Sequence, residues 1–341
     1  MTIQSSGPIS FSSINTEMGL ASNTSRSIGD SVTRGLAGVA SGPISISNLY
    51  GKSNRVAYNY VVSSNRDTLL MHSGNVPGYV AGKTDLTITI NSGVYLYAVI
   101  TSQAGLIIDG FTAGDTVTLV NNGYILGMGG KGGGTINGTT TGNNGGNALS
   151  IGFPISIINN SYIAGGGGGG GGSGGCTGGG GAGGGAGGDT AGVFSNPPVI
   201  GGAGGGPGAV GSNGTLTGSG QPNASIGGGS GGGGGASAYT GTSMGAGGGR
   251  ILPGSGGAGA YFSGYGTGGA GGSAGGAGGN GALGGSSTSG GGGGGGWGAT
   301  GGIANVFNQA SKPGGTGGKA IHLNGNSVTW LTTGTVYGAV S

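Results

Sequence analysis

Eight consecutive glycines, 165–172, follow directly on the strand-like segment "IINNSYIA". Glycine gives up more backbone freedom on folding than any other residue and has no side chain to bury. A chain with such runs is therefore either unfolded linker or a structure that requires bare backbone. Of 341 residues 103 are glycine, yet there are only ten basic and seven acidic residues and a net charge of +3. Disordered chains stay solvated through charge, whereas this one carries Val, Ile, Leu and Tyr outside its glycine runs. The charge is also too dilute to make a nucleic-acid footprint.

Residues 165–318 contain three charged residues, Asp189, Arg250 and Lys312, and alternate glycine runs with segments rich in turn formers and aromatics. Flexible linkers lack such punctuation. Non-glycine residues enter the runs at every third position: Ser173 and Cys176, Ala270 and Ser273, then Ala274, Ala277, Asn280 and Leu283. Three residues per turn is the period of a polyproline-II-type helix, which has no internal hydrogen bonds. Its N–H and C=O groups point outward, so such helices satisfy one another side by side only where no Cβ intervenes. The spacing predicts a bundle of polyglycine-II helices over 165–318 with exposed loops. Collagen is excluded, because the strict triplet and high proline content are missing.

The rest of the chain reads as mainly β and irregular. In residues 1–52 "GPISFS" returns as "GPISIS", and between the copies lie two short helix candidates. Ser12 or Ser13 is positioned to cap the first, and the second aligns Ile28, Val32, Leu36 and Val39 in one stripe. This segment is too small for a core of its own and is expected to dock on something. Residues 53–78 read as a strand-like piece and a linker, and 79–164 as a β-stack domain of short β-branched strands. Within the stack "LVNNGYILGMGGKGGG" from Leu119 returns 38 residues later as "IINNSYIAGGGGGGGG" from Ile157, which predicts successive rungs. Residues 319–341 are strand-like again and are expected to return to the stack. No leader sequence is recognisable, and no window approaches the roughly 18 apolar residues of a membrane span.

Little in the sequence supports chemistry. "GYVAGKT", 78–84, is one residue short of a phosphate loop, and the many G-x-G-x-x-G matches lack a strand before and a helix after. His72 and His322 stand apart from each other and from any carboxylate cluster, and Cys176 is the one cysteine. The chain is accordingly expected not to be an enzyme and to need no metal or cofactor. The aromatic residues of the glycine region, Phe194, Tyr239, Tyr261, Phe262, Tyr265, Trp297 and Phe307, all fall in or beside loops. Aromatics held on loops by a rigid scaffold form binding surfaces, since they offer contact area at low entropy cost. The competing reading is that some cap the bundle ends against water, with Trp297 and Phe307 the first candidates.

"ISFSSINTEMG" and "SGPISISNLYGKS" resemble the opening of glycine-rich bacteriophage virion proteins, in which I-x-x-E-x-G precedes P-I-S-x-S and an aromatic residue. The matching positions are Ile14, Glu17 and Gly19, then Pro43, Ile44, Ser45, Ser47 and Tyr50. The glycine region is similar to the tip adhesins of long tail fibres in T-even-type phages, whose polyglycine helices pack as a sandwich and whose loops bind bacterial receptors. The resemblance implies a tail-associated adhesin that joins other virion proteins through residues 1–52 and recognises an outer-membrane protein or surface glycan. It implies no nucleic-acid partner and no membrane insertion. A non-adhesive tail, neck or capsid protein is the alternative from the structural class. Ice binders want flat small-residue faces, which the aromatic loops argue against.

Overall fold

A computed structural model describes residues 2–134, 141–173, 177–189, 201–218, 225–238, 241–243, 245–261, 266–284 and 288–341. The chain forms two compact units. Met1–Tyr58, Val76–Leu86 and Thr112–Thr116 make the first, and Asn59–Asn75, Thr87–Phe111 and Val117–Ser341 the second.

In the first unit, α1 (Phe11–Glu17) is capped by Ser10, whose side chain accepts from the Ser13 N–H, so the cap lies earlier than Ser12 or Ser13. Helix α2 (Ser31–Ala37) is capped by Asp30 and ends at Gly38, whose φ of 72° suits glycine. Its seven residues are too few to hold the expected stripe. Leu36 is buried, but Val32 is 41% exposed, and Ile28 and Val39 lie outside the helix. Ile3, Ile14, Leu36, Ala37 and Leu49 form the small core.

A charge network supplements that core. Arg55 Nε donates to both oxygens of Asp85 at 2.8 and 2.7 Å, and Asp115 accepts from Tyr79 Oη at 2.7 Å and the Thr84 N–H at 3.0 Å. The Arg55 guanidinium holds the Asp85 carboxyl below its ordinary value of 3.8. Burial alone would raise Asp115, but the N–H groups of Thr112 and Thr84 outweigh it and lower it. A depressed carboxylate contributes stability above its unfolded value and loses it as pH falls through the folded one. The melting temperature of this unit is expected to drop in the window below about pH 4, and less steeply in Arg55→Met. A midpoint independent of pH across that window would show that the network contributes nothing.

The β architecture is a three-sided coil. Strands β1 (Val56–Val62), β2 (Arg66–Asp67), β3 (Leu69–His72), β4 (Thr84–Ile90), β5 (Tyr95–Tyr97), β6 (Leu106–Asp109), β7 (Thr116–Asn121), β8 (Tyr124–Leu126) and β9 (Leu149–Ile151) are followed by β10 (Ile155–Asn159) and β11 (Tyr162–Ala164). Beyond the small strands β12 (Leu216–Gly218), β13 (Ser237–Ala238) and β14 (Gly241–Ser243) come β15 (Ile321–His322), β16 (Val328–Thr332) and β17 (Thr335–Tyr337). The sheet orders are β1-β4-β7-β10-β16, β2-β5-β8-β11-β17 and β3-β6-β9-β15. Each turn of the chain thus adds one strand to each sheet. Residues 53–78, expected to contain a linker, instead supply β1, β2 and β3, the first turn. "RVAYNYVV" alternates as a strand should, and β1 shows the matching burial pattern.

The 38-residue repeat is one turn of this coil. Asn159 pairs in register with Asn121, and Tyr162 with Tyr124. Leu119, Ile157, Ile125 and Ile163 point inward and are fully buried. The buried Asn121 amide donates to Asn159 Oδ1 at 2.8 Å, and the Asn159 amide donates to Thr333 O at 2.6 Å. This ladder satisfies corner carbonyls that burial would otherwise leave unpaired.

Two long insertions leave the coil at one corner, between the second sheet and the third. One runs from β8 to β9, the other from β11 to β15, and the second contains the long glycine region. Their backbones bond to one another at intervals of three. Gly127, Gly130 and Gly133 N–H donate to Ala164, Gly167 and Gly170 carbonyls, while Gly168 and Gly171 donate to Ala299 and Gly302. A Cβ added to Gly165, Gly168 or Gly171 would strike the carbonyl of Gly318, Gly315 or Lys312. One added to Gly166, Gly169 or Gly172 would strike that of Met128, Lys131 or Gly133, and one on Gly167 or Gly170 that of Gly295 or Gly292. The run 165–172 is enclosed on three sides, which is why no side chain interrupts it. By contrast Ala270, Ser273, Ala277, Asn280 and Leu283 are exposed.

Candidate functional site

The bonding pattern shows which loops share an end. From the coil the chain runs out along 165–172, parallel to 127–133, and returns along 178–182, where the Gly179 and Ala182 N–H groups donate to Gly133 and Gly130 in antiparallel order. Later segments keep this order: Ala182 bridges Gly231 in antiparallel fashion, whereas Gly278 and Gly281 donate to Thr300 and Ile303 in parallel, as two segments that both run outward should. Every return toward the coil ends in a short connection, at 183–185, 206–208, 229–230, 251–255, 273–276 and 297–299. The described flanks of the other connections, at 173–177, 190–200, 215–225, 237–244, 261–267, 283–289 and 305–312, therefore lie at the opposite, far end.

The bases of these loops are knitted together. Tyr261 bridges Thr267, which bridges Ala282, and Gly290 bridges both Ala236 and Asn305. The Phe307 N–H donates to Ser289 Oγ at 3.2 Å, and Asn305 Nδ2 donates to Gly281 O at 2.7 Å. Strand β14 pairs with both β12 and β13, joining two further loops. Tyr261, Leu283 and Phe307 thus rise from one bonded block, 49%, 50% and 39% exposed. Phe194, Tyr239, Phe262 and Tyr265 lie outside the described residues, as does Cys176. The residues flanking them belong to far-end loops. At the base of 190–200, Lys131 Nζ meets Asp189 Oδ2 at 3.0 Å.

Trp297 belongs elsewhere. It sits on a near-end connection, fully buried, with Nε1 donating to Ile251 O at 3.0 Å. Its inclusion among exposed binding aromatics is corrected: it packs with Leu126, Ala164 and Leu252 against partly buried Tyr95, Tyr97, Tyr124, Tyr162 and Tyr337. Four of these tyrosines form a stack up the second sheet, with centroids 4.3, 5.7 and 6.3 Å apart. They were not among the residues expected to matter, although Tyr124 and Tyr162 occupy the same place in the two repeat copies.

In the first unit the matched motif residues are largely structural. Ile14 is core, Glu17 accepts from Ser53 Oγ and the Asn54 N–H, and Gly19 has a φ of 74°. Tyr50 Oη donates to Gly7 O at 2.6 Å, and the Ser45 N–H donates to Asn48 at 2.9 Å. Ile44 packs against the core, whereas Pro43, Ser45 and Ser47 are exposed. A groove of about 440 Å³ is lined by Ser31, Arg34, Gly35, Gly38, Val39 and Ala40.

The family profile of the phage tail fibre adhesin Gp38 matches residues 52–228, more than half of the chain. This chain belongs to the Gp38 family. It is a bacteriophage tail-fibre adhesin, and thus a virion protein. The non-adhesive alternative falls with that assignment. No curated protein matches the chain. Among solved structures it is similar to the crystal structure of the gp37-gp38 adhesin tip complex of the bacteriophage S16 long tail fiber. The identity is 18% with a TM-score of 0.45, covering 100% of both chains.

Proposed function

We propose that the far end of the glycine region is the receptor-contacting face of this adhesin, with the aromatic loops bearing Phe194, Tyr239, Tyr261, Phe262, Tyr265 and Phe307 as its contact residues. The observation that carries this reading is that the flanks of every aromatic-bearing connection except that of Trp297 lie at one end of the glycine segments. The segments act as polyglycine-II helices: hydrogen bonding at every third residue and exclusion of Cβ on three sides are what packed threefold helices require. Loops on such a bundle vary without disturbing it, which suits recognition of a bacterial surface protein or glycan. Residues 1–52 join the adhesin to the fibre, offering Pro43, Ser45, Ser47 and the groove beside α2 to another tail protein, while Ile14, Glu17, Gly19 and Tyr50 shape that surface from within. This places the protein at the fibre tip. The experiment that tests the reading is host adsorption by phage in which the far-end aromatics are truncated.

A further inference from the structure

Arg250 is the charged residue at the near end of the glycine region, and its surroundings are unusual for a cation. It is 7% exposed, and among the described residues it takes part in no ion pair. Its guanidinium reaches three separate parts of the second unit. Nη2 donates to Ala98 O just after β5 and to Met128 Sδ in the β8–β9 insertion, both at 3.0 Å, while Nη1 donates to Gly205 O at 3.2 Å. The cation lies 4.7 Å from the centre of the Tyr97 ring, and Nε has no partner. Burial pulls the guanidinium below its ordinary range. The neighbouring backbone is shaped to it, since a Cβ on Gly184, which has a φ of 87°, would strike Nε.

A buried charge without a counter-ion is costly, and an apolar residue of similar volume is often as stable or more so. Stability alone therefore does not account for Arg250. What arginine supplies and an apolar chain does not is direction: a planar fork aimed at the β coil, the first insertion and the glycine segment at once. We propose that Arg250 is a positioning residue that fixes the angle of the glycine region on the β coil, and thereby the direction in which the far-end loops meet the host. The inference rests on those loops being the receptor face. Trp297 and the tyrosine stack supply the apolar contact that Arg250 orients.

The test uses intact phage and the purified full chain carrying Arg250→Met. The melting temperature should stay within about 2 °C of native or rise. The near-ultraviolet dichroism of the Trp297 and tyrosine cluster should change, and host adsorption should fall about tenfold, because fibres engage together only when their tips are aligned. Arg250→Lys, which keeps the charge but not the fork, should also adsorb poorly, and it decides the matter if the methionine variant does not fold. Native adsorption by a folded variant would overturn the proposal, as would a loss of adsorption that merely follows a fall in melting temperature. Phage carrying Tyr261→Ala, Phe262→Ala and Tyr265→Ala, run alongside, separate the two ideas: native adsorption by that phage would reject the loop reading itself.

Discussion

Gly169→Ala is expected to unfold the glycine region, whereas Gly206→Ala leaves it intact. A methyl group on Gly169 would meet the carbonyl of Lys131, which already accepts the Asn143 N–H at 2.9 Å. Gly169 itself donates to Asn143 and accepts from Gly315 at 2.9 and 2.7 Å. No flexible side chain is available to move aside, so relief requires separating backbones that hold one another. Overpacking a core costs about 1–3 kcal/mol where neighbours relax, and each broken hydrogen bond adds about 1 kcal/mol. The combined penalty of about 4 kcal/mol or more is comparable with the stability of a whole domain. A methyl group on Gly206 would have nothing within 4 Å, and alanine there should be neutral or stabilise by about 0.4–1 kcal/mol through the unfolded chain. Thermal melting of the two variants checks the contrast. Equal melting temperatures would mean that the glycine segments are not packed against one another.

The second large effect concerns recognition and leaves the fold alone. Replacing Tyr261, Phe262 and Tyr265 together by alanine should abolish adsorption to host cells while the melting temperature stays native. Aromatic hot spots typically cost about 2 kcal/mol or more each on truncation, so three in one loop remove affinity by several orders of magnitude. Tyr261 is half exposed at the loop base. Unchanged adsorption would reject this loop as a contact site. Phe307→Ala should weaken adsorption without abolishing it, since it rises from the same bonded block.

The coil was legible where sequence and geometry repeat together. "NNGYI" and "NNSYI" recur after 38 residues because the corner asparagines and the following tyrosine have the same neighbours in successive turns. The first turn was legible only in part: β1 reads as strand-like, whereas β2 and β3, held by register with later strands, share no motif with them. Glycine spacing pointed to three-residue periodicity, and the exposed Ala277, Asn280 and Leu283 mark one outer side. The direction of each run was not readable, because glycine runs carry no signal for short turns such as 183–185. That is also why Trp297 could not be told from Phe307. Both follow glycine-rich stretches, but Trp297 lies at a connection toward the coil, under which the tyrosine stack forms an apolar floor.

The most direct measurement is photo-crosslinking from single positions on intact phage adsorbed to host cells. A photoreactive phenylalanine analogue at position 307 should capture a host surface component, and the same group at Ile100, somewhat more open to solvent but just past the end of β5, should capture none. Capture from position 100 with none from 307 would place recognition on the coil and contradict the account.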